Sequence, residues 1–259
     1  MIADLSVPGR PAPGGPASQR LPLTPARRGI LAVGVPVILA LIGATAYSLV
    51  SDVGTGSYPV KYAIPVSDGR LTMNFGGGDL TLQGTASGTA QLTGKVTYSL
   101  VRPHISVVDR GAQGAVFTFT CGNWTGNCGL NGTADIPAAA AATIATDGGD
   151  LTASDLTGDV DLGSDGGNIT ATSIGSTHVT ADSGGGDIEI VFTRVPQNIQ
   201  VSADGGDVTI VVPSGPTAYD VTATPDGGNV SDGLPQATSS SHVITVTSGG
   251  GDITIEQAT

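Results

Sequence analysis

A Gly-Gly-(Asp/Asn) step followed at once by an apolar residue recurs six times toward the C-terminus. The steps are Gly148-Gly149-Asp150, Gly166-Gly167-Asn168, Gly185-Gly186-Asp187, Gly205-Gly206-Asp207, Gly227-Gly228-Asn229 and Gly250-Gly251-Asp252. The acid or amide returns at intervals of 18, 19, 20, 22 and 23 residues. Units of this length, each with short strands, cannot bury an apolar face alone; they stack as rungs that share one continuous core.

The residues around each step define those strands. Behind the glycines an apolar-polar-apolar triplet appears: Leu151-Thr152-Ala153, Ile169-Thr170-Ala171, Ile188-Glu189-Ile190, Val208-Thr209-Ile210 and Ile253-Thr254-Ile255. Half a unit away stands a second set: Val160-Asp161-Leu162, Val179-Thr180-Ala181, Ile199-Gln200-Val201, Tyr219-Asp220-Val221 and Ile244-Thr245-Val246. Period two puts the first and third residue of each triplet on one face, so Ile188, Ile190, Val208 and Ile210 are expected to point inward. The predicted fold class is all-β: a β-solenoid or β-helix-like repeat stack over residues 133–259, each rung about 4.8 Å from the last. The glycines are expected to supply positive φ and close stacking of the turns. A β-sandwich accounts for the strands but not for the constant phase of the glycine step.

Residues 61–132 read as a first β-region that begins and caps the stack. Candidate strands lie at 62–66, 70–75, 79–83, 91–100, 105–109 and 115–121, and Gly77-Gly78-Asp79-Leu80 already carries the repeat signature. Phe75, Phe117, Phe119 and Trp124 fall here, so the bulkiest packing is expected in this part.

Ahead of the repeats the chain changes character. Residues 29–51 carry no charge, and an apolar run from Ile30 to Val50 is long enough to cross a bilayer as a transmembrane helix. Arg27 and Arg28 abut its N-terminal side, which by the positive-inside rule keeps residues 1–28, a Pro-rich tail, in the cytoplasm and exports the remainder. Residues 52–60 read as a linker. The competing reading is a secretory signal cleaved after Ala46, at the Ala44-Thr45-Ala46 sequence. Either way the repeats are extracytoplasmic. Cys121 and Cys128 agree with that, since an even pair so close together in an oxidising compartment predicts a disulfide-closed loop.

Charge narrows the partners. Beyond Gly111 the only base is Arg194, against 17 Asp and Glu. Such a surface repels nucleic acid and is suited to metal ions, cationic partners or simply solubility. Its acids form two columns: Asp150, Asn168, Asp187, Asp207, Asn229 and Asp252 follow the glycines, while Asp147, Asp165, Asp204 and Asp226 precede them. One reading is turn chemistry, in which the side chains accept backbone N–H bonds. The other is a Ca²⁺ ladder, with Asp147, Asp150, Asp165, Asp204, Asp207 and Asp226 as candidate ligands. Two Asn in the first column weaken the charge argument, and the tandem nonapeptide spacing of calcium β-rolls is absent.

Signals of catalysis are sparse. His104, His178 and His242 fall in no metal-binding spacing, and there is no nucleophile elbow, Walker loop or dinucleotide fingerprint. Asp159, Asp161 and Asp182 are the residues a polysaccharide-acting β-helix enzyme would use, if a cleft gathered them. The in-phase Gly-Gly-Asp units behind an Arg-flanked apolar segment resemble the bacterial putative-adhesin family. It is labelled a domain of unknown function and is common in membrane-anchored proteins of high-GC Gram-positive bacteria. The resemblance covers about residues 70–255. It implies a β-solenoid-like fold, a surface location and no established catalysis, and it supplies no binding residues. The combined expectation is a non-catalytic protein held on the cytoplasmic membrane by one helix, with a cell-wall or glycan ligand for its exposed face.

Overall fold

Alternating apolar and polar residues make strands, and glycine steps let the chain reverse sharply, so the chain folds as a pile of two-strand arches. The computed structural model describes residues 55–122 and 127–259. The tail, the predicted membrane span, the Ala46 cleavage site, residues 52–54 and Trp124 lie outside the described residues. The first part contains β1 (Thr55–Ile64), β2 (Arg70–Phe75), β3 (Leu80–Thr85), β4 (Ala90–Ser99), β5 (His104–Asp109), β6 (Ala115–Thr120) and β7 (Gly129–Pro137). Then come β8 (Ala141–Thr146), β9 (Leu151–Ser154), β10 (Val160–Ser164), β11 (Ile169–Ile174), β12 (His178–Ser183) and β13 (Ile188–Phe192). The last are β14 (Asn198–Ala203), β15 (Val208–Val212), β16 (Asp220–Pro225), β17 (Val230–Asp232), β18 (Val243–Ser248) and β19 (Ile253–Gln257).

These strands form two sheets. The ten-stranded sheet runs β1-β4-β7-β3-β9-β11-β13-β15-β19-β17, and the nine-stranded sheet runs β16-β18-β14-β12-β10-β8-β2-β6-β5. Each arch places one strand in the nine-stranded sheet and the next in the ten-stranded sheet, and all but β6–β7 turn through a glycine step between them. Equivalent residues pair in parallel, as in Ile188 with Val208 and Ile190 with Ile210, and all four are 0–1% exposed. Parallel rung stacking excludes the antiparallel sandwich for the repeats. Among the described residues antiparallel pairing is confined to one end, where β1 pairs with β4, β4 with β7, and β5 with β6. The large aromatics gather near that end: Phe117 packs with its ring centroid 5.3 Å from Phe75 and 5.9 Å from Tyr62.

Three expectations need correction. First, β1 starts at Thr55, inside the span read as linker, and pairs with β4 along its whole length. Second, the arches do not stack in chain order. The β2–β3 arch lies between β6–β7 and β8–β9, and the β18–β19 arch lies between β14–β15 and β16–β17. Packing explains the second insertion. β18–β19 brings Ile244, Val246, Ile253 and Ile255, all fully buried, whereas β16–β17 brings half-buried Val221 and Ala223 and a 43% exposed Val230. The more apolar arch takes the interior place because burial of aliphatic surface drives the stacking. Third, positive φ is confined, within the glycine steps, to Gly77 and Gly78; the repeat glycines serve another purpose.

Candidate functional site

The column after the glycines is a hydrogen-bond ladder. The Asp79 N–H donates to Asn131 Oδ1 (3.0 Å), and the Asp150 N–H to Asp79 Oδ1 (3.1 Å). The Asn168, Asp187 and Asp207 N–H groups each donate to the side-chain Oδ1 of the preceding rung at 2.9 Å. Asp252 then bonds Asp207 at 2.8 Å, and Asn229 bonds Asp252 at 2.7 Å. The ladder follows stack order, not chain order. Asp and Asn are interchangeable here because both offer Oδ1 as acceptor, which explains why Asn131 and Asn168 can share the column; Asn229 ends it and donates its Nδ2–H to Asp252 Oδ1 as well, at 3.2 Å. Asp150 and Asp207, candidate calcium ligands, therefore each use an oxygen on a backbone N–H.

The preceding column behaves differently. Asp147, Asp165, Asp204 and Asp226 are exposed, and it is their backbone N–H groups that bond to the neighbouring rung, at 2.8–3.0 Å. Among the described residues no three His, Cys, Asp or Glu side chains group so as to hold a metal ion.

Sequence reading missed a third column. Ser164, Ser183 and Ser248 are buried one position before the turn. Each hydroxyl accepts the N–H of the second glycine of its own step (2.8–2.9 Å) and donates to a glycine carbonyl of the neighbouring rung (3.0–3.1 Å). Thr146 occupies the same place and donates to Gly149 within its own turn. The signal was present: a hydroxyl residue three positions before the second glycine. That second glycine is required by crowding. A Cβ on Gly149, Gly167, Gly186, Gly206 or Gly251 would lie 2.0–2.3 Å from a carbonyl oxygen of the next turn, whereas one on Gly148 or Gly185 meets nothing within 4 Å.

The outward faces are flat and polar. Across the ten-stranded sheet the register aligns Thr93, Thr133, Thr81, Thr152, Thr170, Glu189, Thr209 and Thr254 in one row. The other face aligns Thr72, Thr143, Asp161, Thr180, Gln200, Thr245 and Thr222. Three shallow depressions lie on this second face, one of them between β2 and β8. Asp159, Asp161 and His178 line one of about 170 Å³, and Asp182, Asp165 and Asp204 line one of about 300 Å³. The three candidate catalytic carboxylates are thus split between two depressions at or below the usual size of a small-molecule pocket. His178 Nδ1 lies 3.2 Å from Asp159 Oδ1 on the exposed surface. Burial raises the Asp161 carboxyl above its ordinary pKa; burial, then the charges of Asp161 and Asp204, do the same for Asp182. Next to the Gly76–Gly78 turn, Cys121 and Cys128 are joined in a disulfide, Cα to Cα 5.9 Å, that closes the β6–β7 crossing.

Residues 59–256, the span of the stacked arches, match one family along their length. The chain belongs to the Toastrack DUF4097 family. No curated protein matches it. Among solved structures, this Toastrack chain is similar to a putative cell adhesion protein from Clostridium sporogenes, with 16% identity and a TM-score of 0.49, over 78% of this chain and 100% of that one. It is also similar to a putative adhesin from Bacteroides fragilis, with 13% identity and a TM-score of 0.45, over 78% of this chain and 97% of that one.

Proposed function

We propose that the protein is a non-catalytic binding module of the cell envelope: an adhesin or scaffold held on the cytoplasmic membrane by residues 29–51, N-terminus inside, with the Toastrack stack outside. The observation that carries this reading is the pair of polar faces built from repeated Thr, Asp and Ser, marked by shallow, open depressions. Side chains in register on neighbouring strands, about 4.8 Å apart, offer one hydrogen-bonding group per rung. That suits an extended polymer with repeating hydroxyls, such as a glycan or wall polymer, better than a small substrate. The uncharged run behind Arg27 and Arg28 supports the anchor, and the Cys121–Cys128 disulfide supports an oxidising location. Among the described residues no helix is long and apolar enough to cross a membrane; the proposed span lies outside them.

The test uses residues 51–259, which form a compact unit. Immobilised, with and without Ca²⁺, this unit is expected to retain wall polymer from envelope fractions. Thr152→Arg and Thr143→Arg, one on each face, identify the face by abolishing retention on one side only. A folded unit that retains no envelope polymer contradicts the proposal.

A further inference from the structure

The chain enters the stack beside an exposed apolar tip. Thr55 opens β1 and pairs with Ser99, the last residue of β4. The next two residues, Leu100 and Val101, are 56% and 51% exposed, the most exposed large aliphatic side chains among the described residues. Leu100 has φ 64°, a left-handed conformation that Gly or Asn adopts easily and a bulky aliphatic does not. A strained, exposed leucine is an observation from which function can be inferred. Its surroundings are ordered. The Tyr98 ring lies across Gly56, where a Cβ would come within 2.5 Å of it, and meets Tyr58 edge-on at 6.0 Å. Arg102 sits 5.8 Å from the Tyr98 ring centroid, and its Nε donates to the Tyr98 hydroxyl at 3.2 Å.

We infer that the Leu100–Val101 tip inserts into the outer surface of the bilayer, with Tyr98 and Arg102 at the level of the anionic headgroups. This rests on residues 29–51 being the membrane anchor. Four peptide steps from Ser51 to Thr55 then hold Thr55 within about 14 Å of the span's end. Paired aliphatics below a Tyr–Arg belt are the arrangement that interfaces favour. The tip would fix the tilt of the stack on the membrane, so that its faces project outward in one orientation.

Both cysteines are in the disulfide, so a single introduced cysteine can carry a fluorophore. The full chain is reconstituted in phosphatidylethanolamine–phosphatidylglycerol vesicles containing nitroxide-labelled lipid, labelled at Val101→Cys, at Thr222→Cys on the distant strand β16, or at Ala40→Cys. The label at 101 is expected to be quenched several-fold more by shallow nitroxides than the label at 222. Quenching at 40 by deep nitroxides with none at 101 overturns the tip and leaves the anchor standing. Absence of quenching at both 40 and 101 overturns the two together. Pyrene excimer emission at 101 without lipid quenching shows a second copy covering the tip and likewise overturns the inference.

Discussion

Gly185 and Gly186 are adjacent in one turn, yet only one of them has to be glycine. A Cβ on Gly186 would lie 2.3 Å from the Gly167 carbonyl oxygen, and one on Gly185 would meet nothing within 4 Å. Gly186→Ala is therefore expected to lower stability by about 1–3 kcal/mol through forced separation of the rungs. Gly185→Ala should be neutral or stabilising by up to about 1 kcal/mol, because it restricts the unfolded chain. Urea denaturation of the two variants checks this, and equal losses would contradict the crowding argument. The ladder makes a similar distinction. Asp187→Asn keeps the Oδ1 that accepts the Asp207 N–H, whereas Asp187→Ala removes it, for a loss of about 1 kcal/mol in the same measurement. Asp182 adds a pH dependence. Its raised folded-state pKa means the folded chain holds that proton more tightly than the unfolded chain. The contribution favours folding at low pH and is lost as pH rises through the raised value. Asp182→Asn should thus raise the melting temperature at neutral pH, and the gain should vanish below the ordinary carboxylate range.

At the scale of the element, the strands were legible and one class of turn was not fully understood. Alternation located β10, β12, β13, β14, β15, β18 and β19 because each puts apolar residues on one face and polar residues on the other. Turn chemistry was one of two readings the sequence offered for Asp150 and Asp207, but the serine column and the separate duties of the two glycines were not legible. Those depend on which atoms approach across a rung, which no single unit reveals. The β6–β7 crossing is the exception among the arches, since Cys121 and Cys128 close it in place of a glycine step. Replacing both by Ser is expected to cost about 2.5 kcal/mol in the chain-entropy estimate for so short a loop. Comparing denaturation of that variant with the reduced and oxidised wild-type protein tests it, and a loss present without reductant-sensitivity would point to packing instead.

For the whole molecule, what the local pattern could not supply was neighbourhood. The β18–β19 arch carries the same Ser-Gly-Gly-Gly-Asp turn as β12–β13, so nothing within it says that it belongs between β14–β15 and β16–β17. The longer intervals of 22 and 23 residues near the C-terminus were the trace of the excursion that this placement requires. The order matters because the polar rows of both faces are assembled across rungs, and the rows and the Asp ladder both follow stack order. The central claim is that order, and paired cysteines read it directly. Ser202 and Thr247 are register partners with hydroxyl oxygens 3.2 Å apart, while Thr224 lies one strand further on, beyond Thr247. Under mild oxidation of the folded protein, the Ser202→Cys/Thr247→Cys variant is expected to form a disulfide and the Ser202→Cys/Thr224→Cys variant is not. Crosslinking of positions 202 and 224, without crosslinking of 202 and 247, would mean that the rungs stack in chain order and would contradict the account.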